Sequence, residues 1–99
     1  MFIAMNRFKI VIGKESDFEK IWKNRETYLN EVPGFISFNL LRGDTQADHT
    51  LFASHSTWAC QDDFIKWTNS ESFRKSHKGA GNHRDLYIGH PHFEGFNVI

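Results

Sequence analysis

The sequence has few of the features that mark the large functional classes of protein. It contains a single cysteine, Cys60, among 99 residues, so it can form no intramolecular disulfide and has no cysteine pair for a zinc site. This cysteine usage suits a reducing compartment. Its 12 lysine and arginine residues are balanced by 12 aspartate and glutamate residues, so no net charge attracts nucleic acid or an anionic membrane.

Long apolar runs are also absent. The apolar stretch at residues 1–6 is too short for the core of a signal peptide, and no stretch approaches the roughly 20 residues of a membrane-spanning helix. We therefore expect a cytoplasmic protein without a membrane partner. The length predicts one domain over residues 1–99.

The common catalytic motifs are missing as well. The sequence has no phosphate-binding loop, dinucleotide fingerprint, nucleophile elbow or paired-carboxylate motif. None of the six histidines pairs with another at the four-residue spacing of a helical zinc site, and His90-Pro-His92 reads as a surface turn that enters a strand. The six are His49, His55, His77, His83, His90 and His92.

Aromatic residues, by contrast, are abundant. They make up 15% of the chain, with ten phenylalanines and three tryptophans. In a domain of this size, such a density suits a large apolar pocket or an extensive interface as well as a core.

The pattern of apolar residues predicts the order strand, helix, strand, strand, helix, strand. Residues 2–11 alternate as a strand, with the polar Asn6 on an otherwise apolar face. Ser16 and Glu19 form a capping-box pattern, which predicts an amphipathic helix that runs to the Pro33-Gly34 stop. The later elements are strands over 35–42 and 49–58 joined by a turn at 43–48, a helix from Cys60 that restarts at Ser70 and ends at Gly79–Gly81, and a strand over 92–99.

This order is that of a ferredoxin-like α+β fold with an antiparallel sheet. Its helices cover one face of the sheet and leave the other bare. Because the predicted strands carry apolar residues on both faces, we expect two sheets to pack together as a dimeric α+β barrel. The predicted assembly is a homodimer.

The segment 64–79 carries an aromatic stripe that ends in a histidine, His77. A histidine near the end of a helix can face a cleft beneath the helix, or it can face solvent, where the helix dipole favours it. Trp67 lies about 15 Å away along a continuous helix, so the two side chains could contact opposite parts of one planar ligand. Ordinary core packing is the alternative for Trp67.

Two polar residues on apolar faces are further candidates for a binding site. An amide such as Asn6 costs about 1–3 kcal/mol to bury without a hydrogen bond, so it bonds either to a neighbouring backbone group or to a ligand. Arg25 interrupts the apolar stripe of the first helix. It can extend to solvent or meet an acidic group of a ligand, such as a propionate.

Together these residues resemble a known family. Asn6 in Met-Asn-Arg, Trp67 in Phe-Ile-Lys-Trp and His77 in Ser-Phe-Arg-Lys-Ser-His are similar to the triad of the Isd-type haem-degrading monooxygenases, in the antibiotic biosynthesis monooxygenase superfamily. The resemblance covers nearly the whole chain, including Val-Pro-Gly-Phe before the second strand. The ending Gly-His-Pro-His-Phe-Glu-Gly-Phe resembles the rhizobial HmuQ-like branch.

The resemblance implies a haem cleft between the sheet and its helices. His77 would be the proximal ligand of the haem iron, Asn6 a distal hydrogen-bond donor, and Trp67 a side chain that presses on the porphyrin and ruffles it. Haem would be both cofactor and substrate, cleaved to a bilin-type product with release of iron. The reaction would use O2 and electrons from a separate reductase.

Two other functions remain open at this point. The first is a cofactor-independent oxygenase that acts on an aromatic, quinone-forming substrate held by Asn6 and Trp67. The second is a haem carrier, or a dimeric α/β barrel protein, without enzymatic activity. The sequence does not determine which meso carbon would be cleaved, whether carbon monoxide or formaldehyde would leave, or the roles of His83, His90 and His92.

Overall fold

The structure is a computed structural model that describes residues 1–25, 28–76 and 84–99. Its elements follow the predicted order, with the second helix divided in two. The strands are β1 (Phe2–Ile10), β2 (Phe35–Thr45), β3 (Thr50–Trp58) and β4 (His92–Asn97), and the helices are α1 (Glu15–Lys23), a 3-10 turn (Leu29–Glu31), α2 (Gln61–Thr68) and α3 (Glu71–Ser76).

The four strands form one antiparallel sheet in the order β2-β3-β1-β4. This order and the helices between the strands confirm the predicted ferredoxin-like α+β fold. The two central strands, β1 and β3, pair along their whole lengths, from Phe2 opposite Trp58 to Ile10 opposite Thr50. Both strands are therefore shielded at their edges and carry much of the core.

The core lies on the helical face of the sheet and consists of two clusters. The first core cluster surrounds the fully buried Phe18 of α1, and the second surrounds the fully buried Trp58 of β3. Every second residue of β1 faces this core, as the sequence pattern predicted. Phe2 and Ala4 belong to the second cluster, Phe8 and Ile10 belong to the first, and Asn6 lies between the two pairs. The first cluster contains Phe8, Ile10, Phe18, Phe52 and Leu86, and the second contains Phe2, Ala4, Leu29 and Trp58.

The predicted capping box at the start of α1 is wrong. Ser16 lies inside the helix, and Lys14 at the capping position makes no side-chain cap. The carboxylate of Glu15 instead accepts hydrogen bonds from the backbone N–H of Gly13, at 2.7 Å, and from Oγ1 of Thr50, at 2.8 Å. Because the bond to Thr50 ties the first turn to β3, the helix starts at Glu15, two residues earlier than a Ser16 cap requires.

The predicted end of this helix at Pro33-Gly34 is also wrong. The helix ends at Lys23, and Tyr28 adopts a left-handed conformation with φ 57° before the 3-10 turn. This change of direction brings Leu29 into the second core cluster, where it is 4% exposed. The helix thus ends before its apolar periodicity does, because Leu29 is buried in the second core cluster.

The division between α2 and α3 confirms the predicted restart at Ser70. Its hydroxyl donates to the carbonyl of Trp67, at 2.6 Å, and accepts from the backbone N–H of Phe73, at 3.2 Å. Ser70 therefore donates a hydrogen bond to a backbone carbonyl at the end of α2 and also caps the start of α3. We expected Trp67 and His77 to be about 15 Å apart on a continuous helix. Because the helix is interrupted between Thr68 and Glu71, that expectation does not apply.

Other element boundaries differ from the prediction by a few residues. Strand β2 extends to Thr45, through part of the predicted turn, because Thr45 and Thr50 pair and their hydroxyls lie 3.0 Å apart. Strand β4 ends at Asn97 rather than Ile99. Within the described ranges, no helix has the length and apolar character needed to cross a membrane.

The other face of the sheet, which we call the open face, is not covered by the described helices. It carries Met5 opposite His55, and Ile3 opposite Phe96. Phe96 is 45% exposed, and Arg7 forms a hydrogen-bonded ion pair with Glu94 there. The open face thus combines exposed apolar residues with charged ones.

Candidate functional site

A cleft of about 1040 Å³ separates the two core clusters on the helical face of the sheet. Sites for small molecules and cofactors generally occupy about 300–1,000 Å³, so this cleft suits a large ligand. Its floor is the sheet, and its walls come from α1, from α2 with α3, and from the segment 84–91. The lining is largely aromatic: Phe8, Trp22, Phe38, Phe64, Trp67, Phe73, Tyr87 and Phe93.

Asn6 lies on the floor of the cleft. It pairs with Ser54 of β3 and with Phe93 of β4, so it occupies the middle of the sheet. Its Oδ1 atom is buried and has no hydrogen-bond partner among the described residues. Such an atom costs about 1–3 kcal/mol, and the alternative of a hydrogen bond from the neighbouring backbone to this oxygen is not present among the described residues.

Trp67 forms the wall opposite α1 and belongs to an aromatic group. Its ring centroid lies 5.3 Å from that of Trp58 and 4.8 Å from that of Phe73, which it meets edge-on at 86°. The two interpretations of Trp67 are therefore compatible, because the ring packs against the second core cluster and also lines the cleft.

Arg25 lines the cleft just after the end of α1. Its guanidinium carbon lies 4.6 Å from the ring centroid of Trp22, which in turn stacks on Phe38 at an interplanar angle of 13°. Burial lowers the pKa of the Arg25 guanidinium, although an arginine stays charged at neutral pH. No carboxylate among the described residues forms an ion pair with it.

The segment 84–91 closes the cleft on the side of β1. The backbone N–H of Val11 donates to the carbonyl of Leu86, at 2.9 Å, and the N–H of Ile88 donates to the carbonyl of Lys9, at 2.8 Å. These bonds hold Tyr87 over the first core cluster, where its ring meets that of Phe18 at 90°. Burial raises the pKa of the Tyr87 phenol, and the nearby charge of Arg25 opposes this rise.

Among the described residues of the cleft wall, the charged ones are all basic. Arg25 and Arg84 line it, His90 adds an imidazole ring, and no described lining residue is an aspartate or glutamate. This local excess of positive charge contrasts with the formal net charge of zero for the whole chain. The cleft is therefore suited to a ligand that carries negative charge.

The structure brings three of the four predicted site residues, Asn6, Arg25 and Trp67, to one cleft. The fourth, His77, lies outside the described residues, as do Gly79, Gly81 and His83. The described residues contain no group of three or more His, Cys, Asp or Glu side chains arranged to hold a metal ion.

Several cleft residues were not predicted from the sequence. Trp22 and Phe64 belong to helical apolar stripes and were not singled out as site residues, although each lines the cleft. Arg84 and Tyr87 lie in a turn-rich segment without apolar periodicity, so no pattern marks them. For Trp22, Phe64 and Tyr87, the signal in the sequence was the overall density of aromatic residues.

The curated relatives of this chain include the heme-degrading monooxygenases of Bacillus thuringiensis strain Al Hakam and Bacillus cereus strain AH187. Each is 25% identical to it over 88 residues, which cover 89% of this chain and 81% of the relative. At this identity the match establishes a distant relationship and leaves the activity of this chain open.

Two solved structures show that the fold occurs with different activities. The heme-degrader MhuD from Mycobacterium tuberculosis, with two hemes bound in its active site, superposes with a TM-score of 0.75 at 22% identity and covers 100% of this chain and 96% of its own. SnoaB, a cofactor-independent oxygenase from Streptomyces nogalater, superposes with a TM-score of 0.70 at 21% identity and covers 99% of this chain and 92% of its own. The fold alone therefore does not select between these activities.

The family comparison covers most of the sequence. The model of the family described as antibiotic biosynthesis monooxygenase matches residues 1–79, which include β1 to β3 and the helices α1, α2 and α3. The chain therefore belongs to the antibiotic biosynthesis monooxygenase family.

Proposed function

We propose that this protein is a haem-degrading monooxygenase. The observation that carries the proposal is the cleft itself, which has a volume of about 1040 Å³, aromatic walls and basic side chains. It also contains the buried Oδ1 of Asn6, which has no partner in the part of the chain that the structure describes. The distant relatives named as heme-degrading monooxygenases support the same activity.

The described residues of the cleft fit a haem. A porphyrin is large, flat and apolar and carries two carboxylates on one edge, and the cleft pairs aromatic walls with the cation of Arg25. Phe64 and Trp67 would contact the porphyrin, and Arg25 would meet a propionate. His77 would be the proximal ligand through a neutral imidazole. Haem, when bound, would supply the iron that activates O2 and would itself be oxidised to a bilin-type product.

The protein contributes orientation, a polar group and exclusion of water. The Oδ1 of Asn6, in the middle of the sheet, has no hydrogen-bond partner among the described residues, so the protein does not hold the amide through this acceptor. Its Nδ2 group would donate the hydrogen bond on the distal side. Trp67, held by Trp58 and Phe73, gives a rigid wall that can distort a planar ligand. Electrons would come from a separate reductase in the cytoplasm.

The proposal includes a homodimer built on the open face. Phe96 and Leu41 are 45% and 41% exposed, and burying them against a second sheet would remove apolar surface from water. A partner sheet of the same sequence satisfies this requirement with two-fold symmetry.

A second candidate function is a cofactor-independent oxygenase with an aromatic substrate. The observation that favours it is that Asn6 and Trp67 lie in a cleft with aromatic walls, which suits a flat aromatic substrate. A haem carrier without activity is the third candidate. The three functions differ in whether haem binds and whether it is consumed.

The test is a haemin titration followed by reduction. We expect purified protein to shift the Soret band with one haem per subunit, and ascorbate or a reductase in air to convert this band to a bilin-like spectrum. His77→Ala should abolish the conversion. His92→Ala is the matched control, because His92 is exposed on β4 and does not line the cleft.

Each of the other outcomes selects another function. Stable binding without decay of the Soret band would indicate a carrier. Absence of haem binding, or equal turnover in His77→Ala and the unmodified protein, would exclude the haem-degrading activity proposed here.

A further inference from the structure

The cleft contains two hydrogen-bond donors near each other that do not bond to each other, Arg25 and Tyr87. Arg25 and Tyr87 both line the cleft, and each group influences the pKa of the other through its charge. No hydrogen bond joins the two side chains, and no described carboxylate forms an ion pair with Arg25. Two neighbouring donors with no acceptor from the described protein leave room for an acceptor from a ligand.

Both donors are held in place by aromatic packing. Arg25 lies over Trp22, and the ring of Phe8 contacts both Trp22 and Tyr87, with centroid distances of 5.8 Å and 6.0 Å. Phe18 packs against the same two rings, at 6.0 Å and 5.7 Å. The guanidinium and the phenol are therefore held by the same group of packed aromatic rings, which lowers the entropy cost of ordering them around a ligand.

The two donors have complementary chemistry. Arginine offers a planar fork with a permanent positive charge, which matches the two oxygens of a carboxylate. Burial raises the pKa of the Tyr87 phenol above its usual value, so at neutral pH the phenol remains protonated and donates a hydrogen bond. Arg84, at the start of the same turn as Tyr87, adds a second cation to the cleft wall.

We propose that Tyr87 and Arg25 form a carboxylate subsite, which selects flat aromatic ligands that carry a carboxylate on one edge. The guanidinium supplies the charge, and the phenol supplies a neutral hydrogen-bond donor. In the proposed function the carboxylate is a haem propionate, and to that extent the inference rests on that function. The subsite itself requires only an aromatic carboxylate.

The experiment compares ligands that differ only at the carboxylate. Haemin and haemin dimethyl ester form one pair, and anthraquinone-2-carboxylate and its carboxamide form a second pair that contains no iron. Affinities are measured by quenching of tryptophan fluorescence. We expect the unmodified protein to prefer the carboxylate of each pair by about tenfold or more, as for a hydrogen-bonded charge.

The variants are Tyr87→Phe and Arg25→Gln. Tyr87→Phe keeps the ring that packs on Phe8 and Phe18, so we expect an unchanged fold and a loss of about tenfold for the carboxylate ligands, with no loss for the ester or the carboxamide. Tyr28→Phe and Arg42→Gln are the matched controls, since neither residue lines the cleft and Arg42 also lies over an aromatic ring.

The outcomes separate the subsite from the proposed function. If haemin fails to bind but the anthraquinone carboxylate shows the Tyr87 and Arg25 dependence, the haem proposal is wrong and the subsite stands. If haemin and its dimethyl ester bind equally, or if Tyr87→Phe weakens both members of each pair alike, the subsite does not exist, whatever the activity on haem.

Discussion

Replacing Asn6 by leucine should make the protein more stable. The Oδ1 atom of Asn6 is buried without a hydrogen-bond partner among the described residues, a situation that costs about 1–3 kcal/mol. Leucine has a similar shape and no polar atom, so it removes this cost without opening a cavity. We expect the free energy of unfolding to rise by about 1–3 kcal/mol. In a domain of this size, each kcal/mol raises Tm by about 4–8 °C.

The assay is urea unfolding of the ligand-free protein, followed by circular dichroism. Asn30→Leu is the matched control, because Asn30 is exposed in the 3-10 turn and its replacement should change stability by less than about 0.5 kcal/mol. A fall in stability for Asn6→Leu would show that the amide is satisfied within the protein, and the assignment of Asn6 to a ligand would be wrong.

The same variant should lose activity while it gains stability. Asn6→Leu also removes the Nδ2 group, which is the proposed donor. Removal of a positioned donor from an active site costs about 10²–10³ in kcat, so the rate of Soret decay should fall by about two orders of magnitude. Haemin should still bind, since His77 and Arg25 are unchanged. Such a trade between stability and activity is expected where a polar group is kept unpaired for a ligand.

Three further substitutions test the fold around the cleft. Phe18→Ala should destabilise the protein by about 3–5 kcal/mol, measured by urea unfolding, because Phe18 is fully buried. Gly95→Ala should cost about 1–3 kcal/mol in the same assay, since the new Cβ would lie 2.7 Å from Cζ of Phe2; unchanged stability would refute this contact. The hydrogen bonds to the carboxylate of Glu15, from its own backbone and from Thr50, lower its pKa below 4.5. These bonds therefore stabilise the folded protein at neutral pH, and this stabilisation is lost as the pH falls below about 4.5. The Tm difference between Glu15→Gln and the unmodified protein should therefore shrink in acid, and a constant difference would contradict this assignment.

The architecture was predictable because its signals are local. Alternation along β1 placed Asn6 among apolar residues on one face, and the structure confirms that face. The break at Ser70 was visible as well, since a serine followed by an acidic residue is typical of a new helix start. Signals of this kind depend on neighbouring residues alone.

The end of α1 and much of the cleft could not be predicted because they depend on tertiary contacts. The helical pattern of the sequence continues past Lys23, yet the helix ends there because Leu29 is buried in the second core cluster. Tyr87 reaches the cleft through an isolated bridge to Ile10, which lies far away in the sequence. No periodicity in a turn-rich segment could indicate that pairing.

Release of iron from haem is the most direct test of the proposed activity. Haem-loaded protein is incubated in air with a reductant and ferrozine, and the iron freed per haem consumed is measured from the absorbance of its complex. The account predicts close to one iron per haem for the unmodified protein and for His92→Ala, and none above background for His77→Ala. Equal iron release from both histidine variants, or loss of the Soret band without iron release, would contradict it.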